Sequence, residues 1–250
     1  MIEIIELSSV SSTMDTAFNM IESASQNSDF AIFSHKQSNG HGKFNRKFYS
    51  PLDQGIYMTI AIKESSLPYK LNYFLIPIIA AVSVQKNIQK FSKDKIEFKW
   101  VNDLYILDKK IGGILCEYKE INNNNYMIVG IGINITKKFN YKYPKDSSNK
   151  IGYIVNSNFN LKKSIYDIIS TFYTALYSPS ISKIYIENYI SNQILKRGMF
   201  ITLRVGSSLI SGQFVKITTQ GQLIIKVKDR MMNFSYGEVK KILFNRISTL

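Results

Sequence analysis

The stretch KWVNDLYILDKKIGGIL, residues 99–115, decides how this chain folds. Two short apolar runs, Ile96–Val101 and Leu104–Leu107, read as strands, and the polar pair Asn102–Asp103 interrupts them. Lys109–Lys110 reads as a tight hairpin turn, after which Ile111–Lys119 returns as a third strand. A carboxylate between buried strands is costly unless it is paired. Asn-Asp at such a break commonly serves as a turn or cap. The rarer alternative is that it faces a ligand, and Lys110 with the Gly112–Gly113 pair favours it, since glycine inside a strand often marks close approach by a ligand or another backbone.

Outward from that stretch, residues 2–7 (IEIIEL) form a short apolar strand, followed by the hydroxyl-rich turn SSVSST. Ser12 or Thr13 suits the N-cap of a helix starting near Asp15. Strands are expected at Phe30–His35, Gly55–Ile62 and Met127–Ile135, and a well-buried helix over Leu71–Phe91. Helices follow at Leu161–Tyr177 and near Ile181–Ser191, after a loop over 137–152 that reads either as a lid or as a surface connection. Beyond Leu195 come about five short alternating segments with glycine-bearing turns, the pattern of a small SH3-like barrel. The fold class is therefore α+β, with a main unit over 1–194, a small β unit over 195–250 and the boundary near 193–197.

Two further segments carry candidate chemistry. In QSNGHGKFNRKFYSP (37–51), Gly40 and Gly42 let backbone approach an anion, with His41, Lys43 and Arg46 beside them. Taken alone, the loop equally fits a surface turn in a lysine-rich protein. GIGIN (130–134) ends an apolar strand, and its glycines fit tight packing under a flat ligand or simple strand crossing.

Composition narrows the class. Hydrophobic residues make up 45% and charged residues 20% of the 250, ordinary for a globular protein. The start, MIEIIELSSVSSTMDT, does not read as a signal peptide, and no apolar run is long enough to span a membrane. Cys116 is the only cysteine, so intramolecular disulfides are excluded and a reducing, cytoplasmic location is expected. It reads as a small buried hydrophobe, Trp100 as a core or pocket wall, and His35 as incidental. The net charge of +14 invites a nucleic-acid partner. However, Arg46, Arg197, Arg204, Arg230 and Arg246 are the only arginines, and the abundance of Lys, Asn, Ile and Tyr looks like a translated AT-rich genome. DNA binding is not expected.

In this order and spacing, SSTMD, GHGKFNRKFYSP, KWVNDLYILDKKIGG and GIGIN resemble the biotin–protein ligase family, and Gly237–Glu238–Val239 near the end of the β unit matches as well. The resemblance covers nearly the whole chain and implies a mixed-sheet catalytic domain followed by the SH3-like barrel. The N-terminal helix-turn-helix that some members carry is not seen, which is the pattern of the short form. The implied reaction joins biotin to ATP as biotinyl-AMP, with magnesium, then passes biotin to a lysine of a biotin carboxyl carrier domain. By the same resemblance Lys110, Asp103, Lys43 and Arg46 are the catalytic candidates. Ser12, Thr13, Gln37, Gly40, His41, Lys43, Lys110, Gly113 and Gly130 would bind biotin, and Gly42, Lys43, Arg46, Phe48, Asn102, Asp103 and Asn134 the nucleotide. No local motif names protein ligands for magnesium, and a homodimer is compatible with the pattern.

Departures from the family pattern are His41 and Lys43 in place of two arginines, Val101 for a proline, Phe48 for a tryptophan, and Met14, given no catalytic role, where asparagine is common. Lysine keeps charge but loses the bidentate fork, so weaker retention of the adenylate is expected. The nearest rival is a lipoate or octanoate ligase, whose Gly-Gly-Gly segment and His-Asp pair are not found. A basic nucleic-acid-binding module is the rival from another class.

Overall fold

The computed structural model describes residues 2–67, 72–137, 151–154 and 159–243. Most of the loop read as a lid or connection, residues 138–150, lies outside them. The first strand, β1 (Glu3–Leu7), leads into α1 (Thr13–Glu22), whose N-cap is Ser12: its Oγ accepts from the Asp15 amide at 3.3 Å. The remaining strands of the main sheet are β2 (Phe30–Ser34), β3 (Gly55–Lys63), β4 (Ile96–Lys99), β5 (Asp103–Ile106), β6 (Lys109–Ile121) and β7 (Asn124–Asn134). They form one seven-stranded sheet in the order β1-β2-β3-β7-β6-β5-β4, in which only β1 and β2 run parallel among the paired strands.

Alternation along β2 assigns the two faces. Phe30 and Ile32 pack with Met14, Ala17 and Ile21 of α1, whereas Ala31 and Phe33 face the larger core. That core is built on α2 (Ile76–Ile88), which is apolar on nearly every side because it lies against the sheet and touches both α3 (Leu161–Leu176) and α4 (Pro179–Ser191). The helix expected over 71–91 is thus α2 with single 3-10 turns at Tyr73–Leu75 and Gln89–Phe91.

The C-terminal strands β8 (Phe200–Val205), β9 (Ser208–Ile217), β10 (Leu223–Val227), β11 (Arg230–Phe234) and β12 (Glu238–Leu243) form the expected five-stranded antiparallel unit, in the order β11-β10-β9-β8-β12. Its Ile201, Leu203, Leu223 and Ile225 belong to the same apolar cluster as α2. Trp100 Nε1 donates to the Gly221 carbonyl at 2.9 Å, so the wall residue of the sequence reading also ties the two units together.

One turn differs from expectation. The reversal between β5 and β6 is made by Leu107 and Asp108, with Leu107 at φ 55°, and Lys109–Lys110 open β6 instead of forming the turn. Asp108 supplies the turn chemistry that the sequence reading gave to the lysines. The asparagine run has a structural use as well. Asn122 and Asn123 adopt φ 51° and 59° in the β6–β7 reversal, and Asn122 Nδ2 donates to the Ile21 and Glu22 carbonyls at the end of α1.

Gly112 shows how closely these strands pack. A Cβ there would fall on the Gly132 carbonyl oxygen and 2.9 Å from Ile133 Cα, contacts that no rotamer change relieves. Gly112→Ala is expected to lose about 2–3 kcal/mol of stability in urea denaturation. Gly42→Ala, where the nearest neighbour would be Arg46 O at 3.9 Å, should stay within about 0.5 kcal/mol of the parent. Equal midpoints for the two variants would contradict this packing.

Candidate active site

A cavity of 420 Å³ opens on the α1 side of the sheet, between the 37–51 loop, β5, β6, β7 and Glu238 of β12. One end is polar and fixed. Gln37 Oε1 accepts from the Thr13 amide at 2.8 Å and from Thr13 Oγ1 at 3.1 Å. Thr59 Oγ1 donates to Thr13 Oγ1 at 2.9 Å. Gln37 Nε2 donates to Ser50 Oγ at 2.7 Å, and that hydroxyl donates on to Phe48 O at 3.2 Å. Each member is held by the next, so these groups are oriented before any ligand arrives.

The floor is β7. A Cβ at Gly130 would lie 2.5 Å from Met14 Sδ, and one at Gly132 would lie 2.8 Å from the Phe48 ring. The two glycines of GIGIN therefore admit side chains that lie across the strand and wall the cavity. Met14 contributes to the pocket through apolar packing, the part that asking only for polar roles overlooked.

The other end is charged. The β5–β6 ladder slips between Leu104 and Tyr105, so Leu104 faces Gly112 while Tyr105 faces Lys110. Such a bulge re-aims the bulged strand's side chains, and Lys110 Nζ meets Asp103 Oδ1 at 2.6 Å. Gly113 stands opposite Asp103, and its missing side chain leaves room for the pair: a Cβ would come 3.1 Å from Asp103 Oδ1. Asn102 takes the turn role. Its Nδ2 donates to the Ile114 carbonyl at 2.5 Å and its own carbonyl accepts from the Ile114 amide at 2.8 Å, which fixes the corner before Asp103.

The 37–51 loop arches over this end. Lys43 is half-buried, and desolvation lowers its ammonium pKa while the nearby Asp103 opposes the shift. Arg46 donates both Nη groups to Glu238, at 2.5 and 2.7 Å, and Lys240 Nζ lies 3.2 Å from the same carboxylate. Burial alone would raise the Glu238 carboxyl; Arg46 and Lys240 outweigh it and bring the pKa down to about 2. The Phe44 ring meets two guanidinium groups, those of Arg46 and Arg204, 5.4 and 5.7 Å from its centre. The loop is thereby tied to the C-terminal sheet.

Of the candidates read from sequence, Ser12, Thr13, Gln37, His41, Gly42, Lys43, Arg46, Phe48, Asn102, Asp103, Lys110, Gly113, Gly130 and Asn134 all line this cavity. Gly40 does not: it is buried within the loop, and a Cβ would strike Gln37 Nε2, Phe48 O and Ser50 Oγ. The expected anion-facing amide of Gly42 donates instead to Arg46 O at 2.8 Å, and the positive φ angles of the loop belong to Phe44 and Asn45. The short loop closes on itself, which uses that amide internally. Glu238 was visible in sequence only as a matching tripeptide; its place over the cavity depends on docking of the two units. Asp103 and Glu238 are the two carboxylates in the lining, and no group of three or more His, Cys, Asp or Glu suited to a metal occurs among the described residues.

A model of the biotin/lipoate A/B protein ligase family matches residues 6–134. The chain belongs to that family. It is 24% identical over 221 residues to the bifunctional ligase/repressor BirA of Salmonella typhimurium, covering 84% of this chain and 65% of that protein. Identity to BirA of Bacillus subtilis is 30% over 132 residues, 52% of this chain and 40% of the relative. The matched regions thus span about two thirds or less of these curated relatives. Among solved structures, a biotin protein ligase from Aquifex aeolicus in complex with biotin and ATP superposes with TM-score 0.77 at 21% identity, over 95% of this chain and 97% of that one. A biotin acetyl coenzyme A carboxylase synthetase from Helicobacter pylori with bound biotinylated ATP gives 0.67 at 17% identity, over 94% and 100%. These likenesses establish a shared fold across both units of the chain. No helix among the described residues is long and apolar enough to cross a membrane.

The Arg46–Glu238 bridge has a measurable pH signature. A carboxyl held near 2 in the folded state against an ordinary 4.5 stabilises the fold above that ordinary value and loses its contribution as pH falls from about 4.5 toward 2. The difference in melting temperature between the parent and Glu238→Gln should be constant above about pH 6 and shrink across that acidic window. A difference independent of pH would show that the bridge is not formed.

Proposed function

We propose that this chain is a biotin–protein ligase: it forms biotinyl-5′-AMP and transfers biotin to a lysine of a biotin carboxyl carrier domain. The observation that carries the reading is the order of groups along one cavity, from the Thr13–Gln37–Thr59 hydrogen-bonded end to the Lys110–Asp103 pair, with Lys43 and Arg46 above it. A ureido ring offers two N–H donors and a carbonyl acceptor, which suit hydroxyls, an amide and strand backbone. The apolar dithiolane of lipoate would leave those groups unmatched, and a site built of hydrogen-bonding groups discriminates strongly against such a ligand. The solved relatives bearing biotin with ATP, and biotinylated ATP, support the same assignment.

In the first half-reaction a biotin carboxylate oxygen attacks the α-phosphorus of ATP, and pyrophosphate leaves with the electrons of the broken P–O bond. Lys110 neutralises the carboxylate and the charge gathering at the α-phosphate, while Lys43 and Arg46 hold phosphate oxygens. Asn102 keeps Asp103 in place beside the nucleotide, and Asn134 lies along its path. In the second half-reaction the acceptor amine attacks the acyl carbon, AMP leaves, and Asp103 takes the amine proton. Magnesium would accompany ATP as its counter-ion; both lining carboxylates are already engaged by cations, and no cluster of three or more His, Cys, Asp or Glu suited to a metal occurs among the described residues. We place the boundary between catalytic and C-terminal units at 194/195, and the location in a reducing, cytoplasmic compartment.

Incubation with biotin, magnesium-ATP and a carrier domain should add one biotin to the carrier by mass spectrometry, with biotin-dependent and lipoate-independent exchange of pyrophosphate into ATP. Lys110→Ala should lower that exchange at least about 100-fold; exchange equal to the parent would overturn the assignment. Lys43→Arg restores a forked donor and should slow dissociation of biotinyl-AMP. An unchanged rate would remove Lys43 from the phosphate site.

A further inference from the structure

Lys99 is a largely buried lysine that the reaction above does not use. It ends β4 with 8% of its surface exposed. It stands in register with Asp103 of β5, which stands opposite Gly113 of β6, itself opposite Gly132 of β7. Residues facing one another across a ladder share a face, so Lys99 lies on the cavity side of the sheet, one strand beyond Asp103. Among the described residues its Nζ makes no hydrogen bond; it lies 5.7 Å from the centre of the Tyr105 ring. The other charged groups around it are Asp103, Lys110 of β6, and Glu238 and Lys240 of β12. Burial lowers its pKa, with Asp103 and Glu238 opposing and the two lysines adding to the shift.

A largely buried lysine whose ammonium has no hydrogen-bonded protein partner is favoured in its charged form by a carboxylate nearby. Four cations act on Asp103: Lys110, bonded to it; Lys99, in register with it; and Lys43 and Arg46 of the loop, both assigned above to phosphate oxygens. When an anionic substrate reaches the cavity, Lys110 must turn from Asp103 to meet it. Asp103, with 14% of its side chain exposed, would then be a nearly buried carboxylate with no bonded cation. Burial without a bonded cation favours the protonated form of a carboxyl, which cannot accept a proton from an amine. We infer that Lys99 is a positioning residue, the standing counter-ion that keeps Asp103 anionic once Lys110 has moved to the ligand. This rests on the role proposed above for Lys110.

The first test needs no substrate. In the full chain with isotope-labelled lysine, the NMR titration midpoint of Lys99 should fall by about one pH unit in Asp103→Asn. No movement overturns the inference. The second follows transfer from preformed biotinyl-AMP to the carrier domain in a single turnover. Lys99→Met keeps the buried stem but removes the charge; on the acid limb of the parent's pH profile it should lose up to about tenfold, and on the plateau above that limb less than about threefold, the span that one pH unit on an essential base produces. Lys99→Arg should recover the parent profile, and Lys99→Met should add nothing in the Asp103→Asn background. A loss equal at every pH, or an unaltered profile in Lys99→Met, contradicts the role. If the parent forms no biotinyl-AMP, the proposed function fails, and the lysine titration still decides this inference.

Discussion

A carboxylate and an ammonium held 2.6 Å apart, at one end of a cavity floored by glycines, is the constraint around which the rest of this molecule is arranged. Asp103 and Lys110 lie on neighbouring strands and would face each other only loosely in a regular ladder. The bulge at Leu104/Tyr105 turns one toward the other, Gly113 clears the space between them, and Asn102 anchors the corner to Ile114. Each of these features lowers local strand regularity. A buried ion pair contributes little net stability in general, so the arrangement makes sense as preparation for an anion that Lys110 can meet at the cost of one hydrogen bond.

The second constraint is closure. The loop over the cavity packs Phe48 against Gly132 and is tied to the C-terminal sheet by the Arg46–Glu238 bridge and by Phe44, whose ring meets the guanidinium groups of Arg46 and Arg204. That sheet is itself fixed by the common apolar cluster with α2 and by the Trp100–Gly221 hydrogen bond. The small unit therefore supplies a wall and a charge to the site of the larger one. A ligand phosphate and Glu238 would compete for the same guanidinium, which couples occupancy of the site to the contact between the units.

Much of this was legible in the sequence because period and punctuation agreed. Alternation gave the strands around Asn102–Asp103, the apolar run gave β7, hydroxyls gave the cap of α1, and ordered motifs brought fourteen of the candidate residues to one cavity. What escaped reading depended on three-dimensional neighbours. Local turn chemistry passed from Lys109–Lys110 to Leu107–Asp108, since two turn-compatible pairs stood side by side. The glycines of the phosphate-like loop serve its own packing, because Gly40 meets Gln37 and Ser50 across the loop. Met14 and Glu238 line the site only because α1 and β12 are carried to it by packing between elements far apart in sequence. The asparagines, read as a compositional habit, cap α1 from the β6–β7 turn.

The central claim concerns where the reacting carboxylate lies relative to Lys110. A crystal structure of the full chain with biotin and a non-hydrolysable ATP analogue tests it most directly. The account predicts the biotin ring between Thr13, Gln37 and Gly130, its carboxylate within hydrogen-bond reach of Lys110 Nζ, and Lys110 drawn away from Asp103. Biotin bound elsewhere, or lying in the cavity with its carboxylate remote from Lys110 and the Asp103–Lys110 bond intact, would contradict it.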